Sequence, residues 1–190
     1  QLAKEEAEDG DVPYRKGRGG TNIGRAVHSA LQSVDLSTGD GIDEISQAQA
    51  AAEGLPDRWK EVADLARTAM ASDVVKQAVA TRRYHREVYV AAPEGPVLVE
   101  GFIDLVFETE EGLVVVDYKT DGIETPEEIA RSMERYRLQG GTYALALEHA
   151  TDRSVAKVVF LFLHTGSEVV MQDLPGAMQQ VQKAVEGLVA

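Results

Sequence analysis

The sequence predicts an α/β fold, a central mixed β-sheet flanked by helices. Three observations predict it. Residues 21–80 carry apolar residues at helical spacing. Near Arg82 the pattern changes to three consecutive strands broken by turn residues. A long capped helix then separates those strands from two more, which is the order of a mixed sheet.

In order along the chain, residues 1–20 are polar and end in Gly17-Arg-Gly-Gly20, predicting a flexible arm or linker before one domain over 21–190. Thr21 can cap a helix reaching Val34, with Ile23, Val27, Ala30, Leu31 and Val34 as its apolar stripe. Ser37-Thr-Gly-Asp-Gly41 is a loop. Gly54-Leu-Pro56 splits two helices over 43–53 and 57–70, and a shorter one covers 72–80. Strands follow over 82–91, 97–108 and 113–120, joined by turns at 93–96 and 109–112. Thr125-Pro-Glu-Glu128 has capping-box spacing with Pro at the first helical position, opening a helix to His149. Strands over 155–164 and 168–171 precede a last helix from Asp173-Leu-Pro175 to Leu188.

Composition narrows the function. With 44% hydrophobic and 27% charged residues among 190, the chain is globular in type and long enough for a sizeable core. No apolar run approaches the ~20 residues of a membrane-spanning helix. The charged start, Gln1-Leu-Ala-Lys-Glu-Glu6, does not read as a signal peptide, and the missing initiator Met reads as an excised piece of a longer polypeptide. Zero cysteines exclude disulfides and an iron–sulfur cluster and fit a cytoplasmic address. A net charge of −13 argues against nucleic-acid binding by bulk electrostatics. Basic islands nevertheless stand at 11–28 (Arg15, Lys16, Arg18, Arg25), 82–87 (Arg82, Arg83, Arg86) and 131–137 (Arg131, Arg135, Arg137).

The strongest signal lies in the hairpin of the second and third strands. A connection symmetric about Glu110–Glu111 opposes Glu108 to Leu113 and Asp104 to Asp117, on one face. Both acids sit in apolar sequence, where a carboxylate pair is costly unless a proton or cation compensates it. Lys119, two residues beyond Asp117, points the same way. Two acids and an ammonium suit a hard divalent cation, magnesium or manganese, with a positioned water. The competing reading is a structural Asp–Lys pair at a strand end. A turn symmetric about Glu94–Gly95 opposes Glu87 to Phe102 and His85 to Asp104, bringing Arg83, His85, Glu87 and Tyr89 to the carboxylate face. Glu87 is then a third acid. Tyr136, Gln139 and Tyr143 share one helix face, and Gly24 and His28 lie four apart on the first helix.

This ordered set resembles the PD-(D/E)xK nuclease superfamily, and within it the RecB/AddA-like nuclease domains of UvrD/Rep-type helicase-nucleases. Gly24-Arg-Ala-Val-His28 resembles a GxxxH helix motif, Arg86-Glu87 an acidic strand motif, and Gly101-Phe-Ile-Asp104 a GxxD strand. Val116-Asp117-Tyr118-Lys119-Thr120 resembles the DYKT strand, and Gln139 with Tyr143 the QxxxY helix.

The resemblance implies a restriction-endonuclease-like fold. It implies His28, Asp104, Asp117 and the Tyr118 carbonyl as metal ligands, Lys119 as catalytic lysine and Glu87 as auxiliary acid. Gln139, Tyr143, Tyr136 and Arg25 would contact DNA or brace the site. The implied cofactor is Mg²⁺ or Mn²⁺. The implied activity is metal-dependent DNA hydrolysis, as an exonuclease rather than an endonuclease. Its partners would be DNA, a helicase module on the same polypeptide and a second helicase-nuclease subunit. DNA binding by this part alone would be weak and salt-sensitive. The alternative is a catalytically silent nuclease fold that binds DNA or serves as a scaffold.

Overall fold

The computed structural model describes residues 20–123 and 125–189, so the arm expected over 1–20 lies, apart from Gly20, outside the described residues. Helices α1 (Asn22–Ser33), α2 (Ile42–Ala52), α3 (Trp59–Ala71) and α4 (Asp73–Thr81) come first, with a 3-10 turn at Pro56–Arg58. The strands β1 (Tyr84–Glu94), β2 (Val97–Thr109) and β3 (Gly112–Lys119) follow. Helix α5 (Pro126–Thr151) leads to β4 (Val155–Phe162), β5 (Ser167–Val170) and α6 (Leu174–Val189). The sheet order is β1-β2-β3-β4-β5. Among the described strands β3 and β4 are the parallel pair, because α5 carries the chain back over the sheet between them. The α/β class with a central mixed sheet is as the sequence predicts.

Three of the helices start at a side-chain cap. The Thr21 hydroxyl accepts the Gly24 amide at the start of α1, and the Ser72 hydroxyl accepts the Val75 amide at the start of α4. Thr125 and Glu128 form a reciprocal capping box at α5. At the other end of α1, the Arg86 guanidinium from β1 donates to the carbonyls of Leu31 and Val34, so a strand residue serves carbonyls that the helix leaves open.

The core lies on both faces of the sheet. On one, α1–α4 pack against Leu105, Phe107, Val114, Val116, Tyr118, Val159 and Leu161. On the other, α5 packs against Val106, Leu113, Val115, Val158, Phe160 and Phe162. The central strand β3 therefore alternates between two buried faces, which is why it reads as an almost unbroken apolar run. Burying each Phe or Leu of this kind contributes about 1.5–3 kcal/mol.

One register expectation holds and one is corrected. Between β2 and β3, Glu108 opposes Leu113 and Leu105 opposes Val116, as predicted, but the ladder ends at that pair. Asp104 and Asp117 are therefore not ladder partners. The Asp104 carboxylate instead accepts the Tyr118 backbone N–H at 2.7 Å. Between β1 and β2, Tyr89 opposes Phe102 and His85 opposes Val106, a two-residue shift from expectation. The physical reason is a tighter turn, with only Gly95 and Pro96 between Glu94 and Val97 and Gly95 at φ 58°.

An irregularity at Glu87, whose φ is 51°, also breaks the alternation of β1. Tyr84 packs with the α1–α4 core but Val88 with the α5 core. Arg83 and His85 consequently line a separate cavity of about 170 Å³ with Leu147 and Arg153, and do not join the carboxylates.

Candidate functional site

A cleft of about 350 Å³ opens where β1, β2 and the end of β3 meet α1 and the middle of α5. His28, Glu87, Asp104, Asp117, Tyr118 and Lys119 line it, as do Arg25, Tyr136, Gln139 and Tyr143. These are the ten positions to which the resemblance gives a site role. Phe102, Thr120 and Asp121 line it too, and sequence reading gives them no role. The signal for them is adjacency: Phe102 lies inside the Gly101–Asp104 motif, and Thr120 and Asp121 follow Lys119 directly.

Two glycines let the walls close. A Cβ on Gly24 would stand 2.7 Å from Thr120 Oγ1, so glycine lets α1 approach the end of β3 without displacing Thr120 and places His28 one turn further on. A Cβ on Gly101 would stand 2.7 Å from the Tyr143 ring, which packs on β2 at that gap.

The two buried acids each hold a cation of their own. Asp104 Oδ1 lies 2.7 Å from His28 Nδ1, on the α1 side. Asp117 Oδ2 forms an ion pair with Lys119 Nζ at 2.6 Å, and its Oδ1 accepts from Gln139 Nε2 at 3.3 Å, on the α5 side. Side-by-side carboxylates would repel in this desolvated setting. Ending the ladder before Asp104 and pairing each acid separately lowers that cost.

Burial pushes the Asp117 carboxyl above its ordinary range, and the Asp104 charge adds to this, against the opposing pull of Lys119 and His28. For His28, burial lowers the pKa. The Asp104 charge and hydrogen bond, with Asp117 and Glu87, outweigh that and raise it to about 9. An imidazolium therefore balances the acids at neutral pH in this arrangement.

Lys119 is engaged on several sides. Its ammonium donates to Gln139 Oε1 at 2.7 Å and sits 3.8 Å from the centroid of the Tyr136 ring. Gln139 in turn donates to the Tyr143 hydroxyl at 2.7 Å, and the Tyr136 hydroxyl hydrogen-bonds Asp121. One face of α5 thus holds the lysine through an amide and an aromatic ring, each of them braced. Arg25 is held by Glu53, Asn22 and the Gly20 carbonyl at the cleft rim.

The donor chemistry fits a divalent cation. His28, Glu87 and Asp104 each place one ligand atom within 4.8 Å of the others'. Asp117 Oδ2 is buried without a hydrogen bond of its own, although Lys119 neutralises it. Carboxylate oxygens with one imidazole nitrogen suit magnesium or manganese. Glu87 joins this triad where the resemblance makes it auxiliary, and Asp117 is engaged mainly by Lys119.

Comparison with known proteins leads to the same family. The model of the PD-(D/E)XK nuclease superfamily matches residues 8–190. An ATP-dependent helicase/nuclease subunit from Desulforudis audaxviator (strain MP104C) is 34% identical over 172 residues, 79% of this chain and 14% of that protein. The same kind of subunit from Thermoanaerobacter sp. (strain X514) is 32% identical over 171 residues, with the same coverage. The one from Enterococcus faecalis (strain ATCC 700802 / V583) is 27% identical over 174 residues, again 79% and 14%. The chain spans about 14% of the length of these relatives. The ordered motifs, the mixed sheet that carries them and a match over nearly the whole length agree, and the chain belongs to the PD-(D/E)XK nuclease superfamily.

Proposed function

We propose that this chain is a metal-dependent deoxyribonuclease that hydrolyses phosphodiester bonds at DNA ends, as an exonuclease, with residues 21–190 as its nuclease domain. The observation that supports this most is the meeting of the His28–Glu87–Asp104 triad and the Asp117–Lys119–Gln139 group in one cleft. Three strands and two helices contribute to it, and a structural Asp–Lys pair on one strand would not need the others. The relatives' names and the short span of the match support a helicase module on the same polypeptide, and a second helicase-nuclease subunit is consistent with it. Among the described residues no helix is long and apolar enough to cross a membrane, and a cytoplasmic setting suits a DNA-processing role.

His28, Glu87 and Asp104, with Asp117 and the Tyr118 carbonyl, would hold Mg²⁺ or Mn²⁺. A bound ion of this kind polarises a phosphate oxygen and lowers the pKa of a water. Lys119, fixed by Gln139 and the Tyr136 ring, presents its ammonium to the attacking water or to the charge that develops on the phosphate. Asp117 holds that ammonium in place, and His28, now paired with Asp104, would act as a metal ligand only in its neutral form. Gln139 and Tyr143 keep the α5 wall in position, and Arg25 offers charge at the rim.

The test is cleavage of linear DNA with magnesium or manganese, comparing the parent chain with Lys119→Ala and Asp117→Ala. The expected result is metal-dependent loss of full-length DNA, suppressed at least about a hundredfold in both variants. Equal activity in all three would place the chemistry elsewhere, and no activity in a folded parent would favour a silent module.

A further inference from the structure

Beside the cleft, the β1–β2 hairpin carries an aromatic pair that lies outside the buried core. Tyr89 and Phe102 are cross-strand partners, with ring centroids 5.2 Å apart and tilted by 51°. They are 51% and 40% exposed. Their neighbours explain the exposure. Ile103 and Val88 pack into the α5 core, and Gly101 meets Tyr143, so the side chains of Tyr89 and Phe102 are turned to the opposite face of the hairpin. Phe102 is also part of the cleft wall, two residues or roughly 7 Å along the strand from Asp104. The step is therefore continuous with the place where a scissile phosphate would lie.

Charge indicates which part of a strand this surface takes. The protein's net charge is −13, and the described residues of its basic islands are largely committed to internal bonds. Arg86 serves α1 carbonyls, Arg83 pairs with Glu108, and Arg137 pairs with Asp173. Glu100 holds the Tyr89 hydroxyl, so a carboxylate flanks the rings. A carboxylate there does not favour phosphate, while about half of the Tyr89 surface and 40% of the Phe102 surface remain exposed. Stacking of bases on such faces tolerates any sequence and needs no positive charge.

We propose that Tyr89 and Phe102 form a base-stacking step, which seats an unstacked nucleobase next to the phosphate held in the cleft. This rests on the nuclease reading above and adds a contact to it. A paired base inside a duplex is already stacked and cannot occupy the step, so the contact favours single-stranded or frayed ends.

The experiment measures binding of fluorescent oligonucleotides by the 190-residue chain in a Lys119→Ala background with magnesium. The probes are a single strand, its duplex and a matching abasic sugar-phosphate strand. Phe102→Ala and Tyr89→Ala should each weaken single-strand binding by roughly 5- to 100-fold, leaving the abasic strand within about twofold. Phe102→Trp should retain binding, with its added fluorescence quenched by the base-bearing strand only. Binding of the single strand within twofold of the parent in both alanine variants overturns the step, as does an equal loss for the abasic strand. Cleavage by the chain with Lys119 intact reports on the nuclease reading separately. If cleavage persists while the alanine variants bind normally, the stacking step alone fails. If no DNA is cleaved, the nuclease reading fails whatever the binding shows.

Discussion

At Glu87 the conformation and the carboxylate do separate jobs. A residue with a Cβ in the left-handed region carries a cost of about 1 kcal/mol or more. That conformation turns the Glu87 side chain to the cleft while Arg86 reaches α1. Glu87→Gly and Glu87→Ala both remove the carboxylate, but only glycine relieves the backbone. Thermal unfolding should therefore find Glu87→Gly more stable than Glu87→Ala by the equivalent of about 1 kcal/mol. Both should lose metal-supported cleavage to a similar extent. A Glu87→Ala chain as stable as Glu87→Gly would show that the strand relaxes freely there. None of this is legible in Arg86-Glu87 as letters, because alternation along a strand predicts the ordinary β conformation.

At the scale of elements, the site depends on how closely α1 approaches β3. Gly24→Ala would drive a methyl group into Thr120 Oγ1 at 2.7 Å. Either the helix shifts, carrying His28 from Asp104, or Thr120 turns away. The expected cost is about 1–3 kcal/mol, with reduced cleavage. Adding Thr120→Ala removes the clashing oxygen and should restore most of both, giving a favourable coupling in the double-mutant cycle. Additive losses would mean that Gly24 matters for another reason. The helix itself, its Thr21 cap and the spacing of Gly24 and His28 are readable in the sequence. The partner that requires glycine is not, since Thr120 is distant along the chain and reaches Gly24 only through the packing of α1 on the sheet.

For the whole molecule, the balance of charge decides how a strand is bound. The sequence places basic residues in three islands, from which salt-sensitive binding is expected. In the folded chain Arg25, Arg83, Arg86 and Arg137 already hold acids or carbonyls. Among the described residues, these four are then less available to phosphates, and each phosphate neutralised contributes only about 0.7 to the salt slope on a single strand. The affinity for single-stranded DNA should accordingly fall with a log–log slope no steeper than about −2, and binding should weaken when EDTA removes divalent metal. Titrations at several salt concentrations, with and without magnesium, measure both. A slope near roughly −5 would reveal a basic track that the internal bonds do not suggest.

By itself, the sequence determined the order of helices and strands, the α/β class, the capping box at Thr125 and most of the residues that line the cleft. Those follow from local rules: periodicity, caps, turn residues and motif spacing act over a few positions. Only the tertiary structure decided how the acids are shared. The sequence pattern opposes Asp104 and Asp117 as partners, but the fold ends their ladder and gives Asp104 to His28 and Asp117 to Lys119. It also sends His85 to another cavity, while Glu87 reaches Asp104 as the sequence reading expected. The reason is that register near a tight turn, a left-handed residue within a strand and the repulsion between buried charges are settled jointly by neighbours far apart in the chain. No window of sequence contains all of them.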